Sequence, residues 1–432
     1  MAQITNTAIT RAVPSRFRLI RAAQLIDGRG GPPLQHVAVL VEGATIRLVG
    51  PASEVRAPDG APVDVHDFGD ATLLPGLIDV HTHLNGFGDG RPGEDLAALP
   101  DEILLLQAAR NARAHLEAGV TTLRDCGTKN RTGFALREAA KMGIIPAPRL
   151  VLCGRPVTIT GGHLWYFGEE ADGEDGVRRA VRQMIKEGAD CIKLIATGGS
   201  TRTSIASRPA FNATEIRAIV DEAHKFGKPT AAHCSSTQGV VNALEAGVDT
   251  IIHCRFVEPD GTVRFRPEVA ERLAAAGCWV DATIAQGGMR IRSLQGRQAA
   301  GTLAERERQE LERSLHASEV HQDHFRRLLA AGVKMVSGSD SSWMWYPMGH
   351  FAEEVIAHAA WGMGAAAAIV SATGAAARCL GVDSLAGTVE PGKAADVLVV
   401  DGDPLRDMTA LRAVRQVFQA GTRVHRSPPT AA

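Results

Sequence analysis

Two histidines one residue apart, His81 and His83, close the run Leu73-Leu74-Pro75-Gly76-Leu77-Ile78-Asp79-Val80-His81-Thr82-His83-Leu84. In a strand, residues i and i+2 point to the same side, so both imidazoles share a face. Neutral imidazole is the commonest metal ligand. A pair on one side of an apolar strand is therefore expected to hold a metal ion, the alternative being two hydrogen-bonded core histidines. Other polar residues bear on the choice. Lys193 interrupts Cys191-Ile192-Lys193-Leu194-Ile195-Ala196, His233 follows Thr230-Ala231-Ala232, His253 follows Ile251-Ile252, and Asp340 ends Val336-Ser337-Gly338-Ser339-Asp340. Taken singly, His233 or His253 reads as a structural histidine, and a lysine beside Ile and Leu as a snorkelling edge residue. In a strand buried on both faces that escape is poor. A desolvated lysine has a lowered pKa and can act as a nucleophile, or can take up carbon dioxide as a carbamate, a bidentate anion suited to bridging two cations. Four His, one Lys and one Asp at the ends of five strands are hard to explain as packing, and together they imply a metal site.

The elements that must position these residues are legible as a pattern. Eight short apolar runs alternate with amphipathic helical stretches: 77–84, 120–125, 149–153, 191–196, 229–233, 250–254, 279–283 and 334–340. Near-continuous hydrophobic strands are buried on both faces, as in parallel sheets, and eight strand-helix repeats imply an α/β (β/α)8 TIM barrel. Functional residues of a barrel gather at the C-terminal ends of its strands, where the candidates lie. The longest gap, 286–331, is rich in Arg, Gln and Glu and is expected to hold an excursion with a helix. Short β-type runs punctuated by Gly and Pro (17–20, 37–41 and 45–49, then 396–400 and 414–418) flank the barrel. They are expected to pair into one small β-sandwich built from both termini. The expected domains are residues 1–72, 73–385 and 386–432. The tail Ser427-Pro428-Pro429-Thr430 is expected to fray.

Composition narrows the partners. With 47 basic and 48 acidic residues the formal charge is -1, so no basic excess argues for nucleic acid or an anionic membrane, and a small-molecule partner is expected. No stretch approaches the roughly 18 apolar residues of a membrane span, and Met1-Ala2-Gln3-Ile4-Thr5-Asn6 lacks a signal-peptide core. The seven scattered cysteines show no Cys-x-x-Cys spacing and read as reduced thiols of a cytoplasmic protein. A homo-oligomer is expected.

The segments Pro75-Gly76-Leu77-Ile78-Asp79-Val80-His81-Thr82-His83 and Gly387-Thr388-Val389-Glu390-Pro391-Gly392-Lys393-Ala394-Ala395-Asp396 resemble the amidohydrolase superfamily over nearly the whole chain. Lys193 with Ala196-Thr197-Gly198-Gly199 is similar to the branch of imidazolonepropionase-related enzymes, Xaa-Pro and other dipeptidases, and ochratoxin-hydrolysing amidases. The resemblance implies a distorted TIM barrel with a terminal β-sandwich. It also implies two divalent metal ions, His81 and His83 holding the first, His233 and His253 the second, an N6-carboxylated Lys193 between them, and Asp340 as a ligand of the first metal and as base. Zinc is the default for such ligands; cobalt, manganese and iron use the same ones. The branch often carries a second histidine two residues after the one matching His233; here that place is Ser235.

Two cations sharing a water lower its pKa so that hydroxide exists at working pH, and Asp340 can pass the proton to a leaving nitrogen. His163, in Thr160-Gly161-Gly162-His163, is a candidate carbonyl polariser, and His350 a weaker substrate contact. His224, His316, His321, His324 and His358 fall in helical stretches and are expected to be solvated. Arg124-Asp125 is expected to form a structural ion pair. Aromatic residues are scarce, yet Trp165 and Tyr166 follow His163, and Trp343, Trp345 and Tyr346 follow Asp340. These loops are expected to rim one pocket for a bulky apolar or aromatic group. The expected reaction is hydrolysis of an amide-type C–N bond in an amide, N-acyl amino acid or dipeptide, carbamate or urea. The rival is a mononuclear deaminase or lactam hydrolase of imidazolonepropionase type, against which Lys193 argues.

Overall fold

The computed structural model describes residues 16–425; the polar start Met1–Asn6 and the tail Ser427–Thr430 lie outside them. The first strands are β1 (Phe17–Leu25), β2 (Leu34–Glu42), β3 (Thr45–Pro51), β4 (Val63–Asp67) and β5 (Thr72–Pro75). A parallel series follows: β6 (Leu77–Thr82), β7 (Val120–Asp125), β8 (Arg149–Leu152), β9 (Val157–Thr158), β10 (Glu169–Glu170), β11 (Ile192–Ile195), β12 (Thr230–Ser236), β13 (Thr250–Val257), β14 (Trp279–Asp281) and β15 (Lys334–Val336). The chain closes with β16 (Val397–Val400), β17 (Val414–Gln419) and β18 (Thr422–Arg423). Each of the eight apolar runs read from the sequence carries a strand.

Both ends of the chain build one eight-stranded sheet, ordered β18-β17-β16-β5-β1-β2-β3 with β4 also on β1. Its junction is antiparallel pairing of β16 with β5, Val397 opposite Pro75 and Val399 opposite Leu73. Along β2, Val37, Val39 and Val41 pack into one apolar cluster and Ala38 and Leu40 into another. Cover on both faces is why Val-Ala-Val-Leu-Val reads as a continuous apolar run and not as alternation.

The central strands form a three-stranded sheet β6-β7-β8 and a seven-stranded sheet β10-β9-β11-β12-β13-β14-β15. Backbone hydrogen bonds link the two sheets at both edges. Asp190 N donates to Leu152 O (2.7 Å) on one side; Val80 N donates to Ser337 O (3.2 Å) and Asp340 N to His81 O (2.8 Å) on the other.

Helices α1 (Asp101–Glu117), α2 (Thr132–Lys141), α3 (Gly173–Glu187), α4 (Ala213–Lys225), α5 (Thr237–Ala246) and α6 (Pro267–Ala276) alternate with the strands. Side chains such as Ala112, Leu136, Val181, Ile219 and Leu273 join Leu123, Leu194 and Ile251 in the main core. Local chemistry sets their ends. Asn212 and Glu215 form a reciprocal capping box on α4, and Ser236 caps α5, each satisfying backbone N–H groups that a first turn leaves open. The excursion after β14 is a pair of helices, α7 (Ala285–Ala299) and α8 (Glu305–Ala330).

Two expectations are corrected. His324 and His358 are buried, not solvated, because they lie on the inward faces of their helices; the fully buried His358 Nε2 meets Glu354 Oε1 at 3.1 Å. Arg124 and Asp125 do not pair with each other. Adjacent strand residues point to opposite faces, so Arg124 Nε donates to Val80 O (2.7 Å) while Asp125 Oδ1 accepts from Leu84 N (2.9 Å). All seven cysteines are unpaired and buried. Among the described residues no helix is long and apolar enough to cross a membrane.

Candidate metal centre

The end of β6 and the loop after β15 bring His81, His83 and Asp340 together, one ligand atom from each within 4.8 Å of the others. Asp340 Oδ1 stands 3.4 Å from Nε2 of both histidines. The rear nitrogens are engaged: His81 Nδ1 lies 3.0 Å from Asp281 Oδ2, and His83 Nδ1 lies 3.2 Å from Gly127 O. A carbonyl only accepts, so His83 Nδ1 carries the proton and Nε2 keeps its lone pair; a carboxylate behind His81 sets the same tautomer. His81 Nε2 is buried with no hydrogen-bond partner. An unsatisfied buried polar atom costs about 1–3 kcal/mol. Two aimed lone pairs and a carboxylate oxygen make a donor set that fits a cation. Burial holds the His81 pKa well below the ordinary histidine value and His83 at about 3, so both rings are neutral, as ligands must be. Burial also lifts Asp340 to about 7.

The neighbouring strands add His233 and His253, whose ring centroids are 4.6 Å apart; His253 lies 5.7 Å from His81 and His233 lies 4.5 Å from His163. His253 Nδ1 is 2.6 Å from Thr283 Oγ1, leaving Nε2 free, whereas His233 Nε2 faces Gly198 O at 3.2 Å, leaving Nδ1. Lys193 is 1% exposed and lines the same cavity. These three residues stand beside the His81–His83–Asp340 group and are not part of it.

Buried polar bonds tie the strand ends together. Asp79 Oδ1 accepts from His81 N (3.1 Å) and Ser339 N (3.0 Å), and Oδ2 accepts from Ser339 Oγ (2.5 Å). His115 Nδ1 accepts from Gly349 N (2.8 Å), so Nε2 carries the proton donated to Asp79 Oδ2 at 3.0 Å. Asp79 thus locks β6 to the Asp340 loop. Close approach demands glycine at 338, where a Cβ would lie 2.6 Å from Asp281 Oδ2 and 2.7 Å from His81 Cβ. His253 (φ 68°) and Asp340 (φ 54°) both adopt left-handed backbone, a cost of about 1–3 kcal/mol each that clusters at functional sites.

The residues open onto a cavity of ≈ 570 Å³. Tyr166 and Trp343 line it with ring centroids 6.2 Å apart, so the loops after Thr158 and Asp340 do meet over the opening. Four other expected contacts do not line it. Trp165 stacks edge-on against the outer side of Tyr166 at 5.9 Å. Trp345 is turned outward beneath the Arg290 guanidinium, 4.7 Å away. Tyr346 is fully buried, its hydroxyl donating to His350 O at 3.0 Å, and the His350 side chain is exposed. Neighbours along a loop cannot all face one space, and one aromatic from each loop points inward. His163 is buried on the cavity wall. Thr201 N donates to His163 Nδ1 (3.4 Å), and Thr201 Oγ1, which accepts from Leu164 N, lies 2.8 Å from the same nitrogen. That leaves Nε2–H beside Gly199, where a Cβ would approach to 2.5 Å. Burial holds the ring's pKa at about 3, so it presents a neutral N–H donor.

Sequence reasoning did not assign Asp281, Arg255 or Gln286. Asp281 is fully buried behind His81; the signal was an acid inside Trp279-Val280-Asp281. Arg255 and Gln286 line the cavity, Gln286 Nε2 lying 3.4 Å from Asp340 Oδ2. A charged residue two places after a candidate ligand was the available signal for Arg255.

The amidohydrolase family model matches residues 72–424. The chain belongs to the amidohydrolase family. Ochratoxinase of Aspergillus niger is 26% identical over 94% of this chain and 86% of its own length. Imidazolonepropionase of Chloroflexus aggregans is 24% identical over 57% of this chain and 66% of its own. A crystal structure of a Xaa-Pro dipeptidase with bound methionine in the active site superposes with a TM-score of 0.80 at 27% identity, covering 94% of this chain and 99% of that one. These amidohydrolase relatives support hydrolysis of amide-type bonds, acting on a small molecule.

Proposed function

We propose that this amidohydrolase is a binuclear metal-dependent enzyme that cleaves an amide-type C–N bond in a substrate with a bulky apolar or aromatic group. The observation that carries the reading is that the buried His81–His83–Asp340 group, with its unpartnered His81 Nε2, shares one cavity with Lys193, His233 and His253. The eight strands read as a closed (β/α)8 barrel, supported by the hydrogen bonds at both sheet edges. His81, His83 and Asp340 would hold one cation. His233 Nδ1 and His253 Nε2 would hold a second, with Lys193 between them as the carbamate, whose negative charge answers the cost of an unpaired buried ammonium. Bound divalent ions, zinc by default, would supply Lewis acidity and acidify a water toward neutral pH. Asp340 takes the proton of the attacking water and delivers it to the leaving nitrogen. His163 Nε2–H donates to the carbonyl oxygen as negative charge develops there. Tyr166 and Trp343 supply apolar surface for the substrate.

A mononuclear reading is favoured by one observation: among the described residues the compact ligand group comprises only His81, His83 and Asp340. Metal analysis of the purified chain separates the two, with about two ions per chain expected. The reaction is tested with aryl amides, N-acyl amino acids, dipeptides, carbamates and ureas. One ion with deamination and no amide cleavage would replace the binuclear proposal by its rival.

A further inference from the structure

Helix α8 carries Ser314, Ser318, His321 and His324 at helical spacing, ahead of Phe325 and Leu328 on the same inward stripe. Such a stripe is ordinarily apolar; here its first half is polar. It borders a second cavity of ≈ 200 Å³ behind the main one, and His253, Arg255 and Gln286 line both. His324 is 7% exposed, and its Nδ1 has no hydrogen-bond partner. Phe256 and Phe265 hold the ring edge-on, with centroids 6.0 and 5.4 Å away. The Arg255 guanidinium makes no hydrogen bond or ion pair with another described residue, and Asp340 is the acid whose charge acts on it. Burial first, and then the charges of Arg255 and His324, hold the pKa of His321 at about 4, so these three side chains crowd one space. No Asp or Glu is among the residues that line the rear cavity.

Buried donors gathered without an acceptor are costly. Arg255 offers a charged fork, the two imidazoles offer N–H groups, and Ser314 and Ser318 offer hydroxyls. An anion with several oxygens answers all of them, and bonds from guanidinium to such anions are among the strong ones. The volume sets the size. A water takes about 30 Å³ of liquid, so the cavity has room for a four-oxygen ion with a few waters and not for a large organic body. We propose that the rear cavity binds a small inorganic oxyanion of the phosphate or sulfate class, held by Arg255, His321 and His324. The site is distinct from the cavity that holds the metal-ligand candidates, and it does not depend on which bond is cut there.

The experiment is calorimetric titration of the full-length, metal-loaded protein with sodium sulfate at pH 7.0 and constant ionic strength, with sodium chloride as the blank. The wild type should bind about one sulfate per chain with a millimolar or tighter Kd. Arg255→Met should raise Kd about 10–100-fold, the worth of charged hydrogen bonds. Arg255→Lys, which keeps the charge without the fork, should recover part of the loss and shows that the site still folds. His321→Leu changes a residue that lines only the rear cavity and should also weaken binding, whereas Arg202→Met, which changes a residue lining only the main cavity, should leave Kd unchanged. No saturable binding of sulfate to the wild type would overturn the proposal. So would a Kd indifferent to both Arg255→Met and His321→Leu, since the anion would then sit on the bound metal or on the surface. Glycerol 3-phosphate carries the same kind of group on an organic body and should bind at least about 10-fold more weakly than sulfate. Equal or tighter binding of the ester would overturn the assignment to a free inorganic ion.

Discussion

Lys193 and His163 carry the two residue-scale predictions. Lys193 is buried and makes no hydrogen bond or ion pair with another described residue, the setting that the proposed carbamate answers. Lys193→Ala should abolish most amide hydrolysis, and short carboxylic acids such as acetate or propionate should restore part of it by standing where the carbamate stood. Unchanged activity without Lys193 would refute the bridging role. His163 is fixed as an Nε2–H donor by the Thr201 backbone N–H, which donates to its Nδ1. Losing one aimed oxyanion donor costs about 10²–10³ in kcat, so His163→Ala should lower kcat by that order with KM changed only a few-fold. A loss expressed wholly in KM would make His163 a binding residue.

At the scale of elements, the site depends on how helices and strands are pinned. Glu354 is fully buried, accepts from Ile284 N (2.8 Å) and Ala285 N (2.7 Å) at the start of α7, and meets His358. It therefore fixes the helix that carries Gln286 toward Asp340. Glu354→Ala would orphan buried N–H groups, each costing about 1–3 kcal/mol, so a loss of about 3 kcal/mol is expected by denaturant unfolding. A loss under about 0.5 kcal/mol, ordinary for a surface site, would show that α7 is held by packing alone. The strand ends were legible because two-sided burial leaves no room for polar residues without a purpose, so His81, His83, Lys193, His233, His253 and Asp340 stood out from Ile, Leu, Val and Ala. The rotation of loop side chains was not legible. Trp343 faces inward and Trp345 outward through contacts with Phe167 and Arg290, which are distant in sequence. The burial of His324 and His358 depends on which helix face meets the core.

The whole molecule joins its two ends beside the parallel strands, β16 pairing with β5 just before the His81 strand begins. Metal held at the ends of several strands should therefore stabilise the fold as a unit. Binding to the native state alone adds about 2.7 kcal/mol at a free concentration 100 times Kd. Chelation should lower Tm by several degrees and abolish hydrolysis, and divalent ion should restore both. A Tm indifferent to chelation would show that the ligands are positioned entirely by the protein's own packing.

The sequence by itself determined the strand-helix alternation, the pairing of chain ends and the types of residue at each strand end. Those follow from periodicity and from the cost of placing imidazole, amine or carboxylate in an apolar run, which are local properties. Only the tertiary structure decided that Asp281 backs His81, that Asp79 and His115 lock two strand ends, and that Arg255 and Gln286 line the cavity beside Asp340. Each of these depends on residues dozens to hundreds of positions apart meeting in buried space, where an unmatched hydrogen-bonding group is costly and geometry alone says which group is matched.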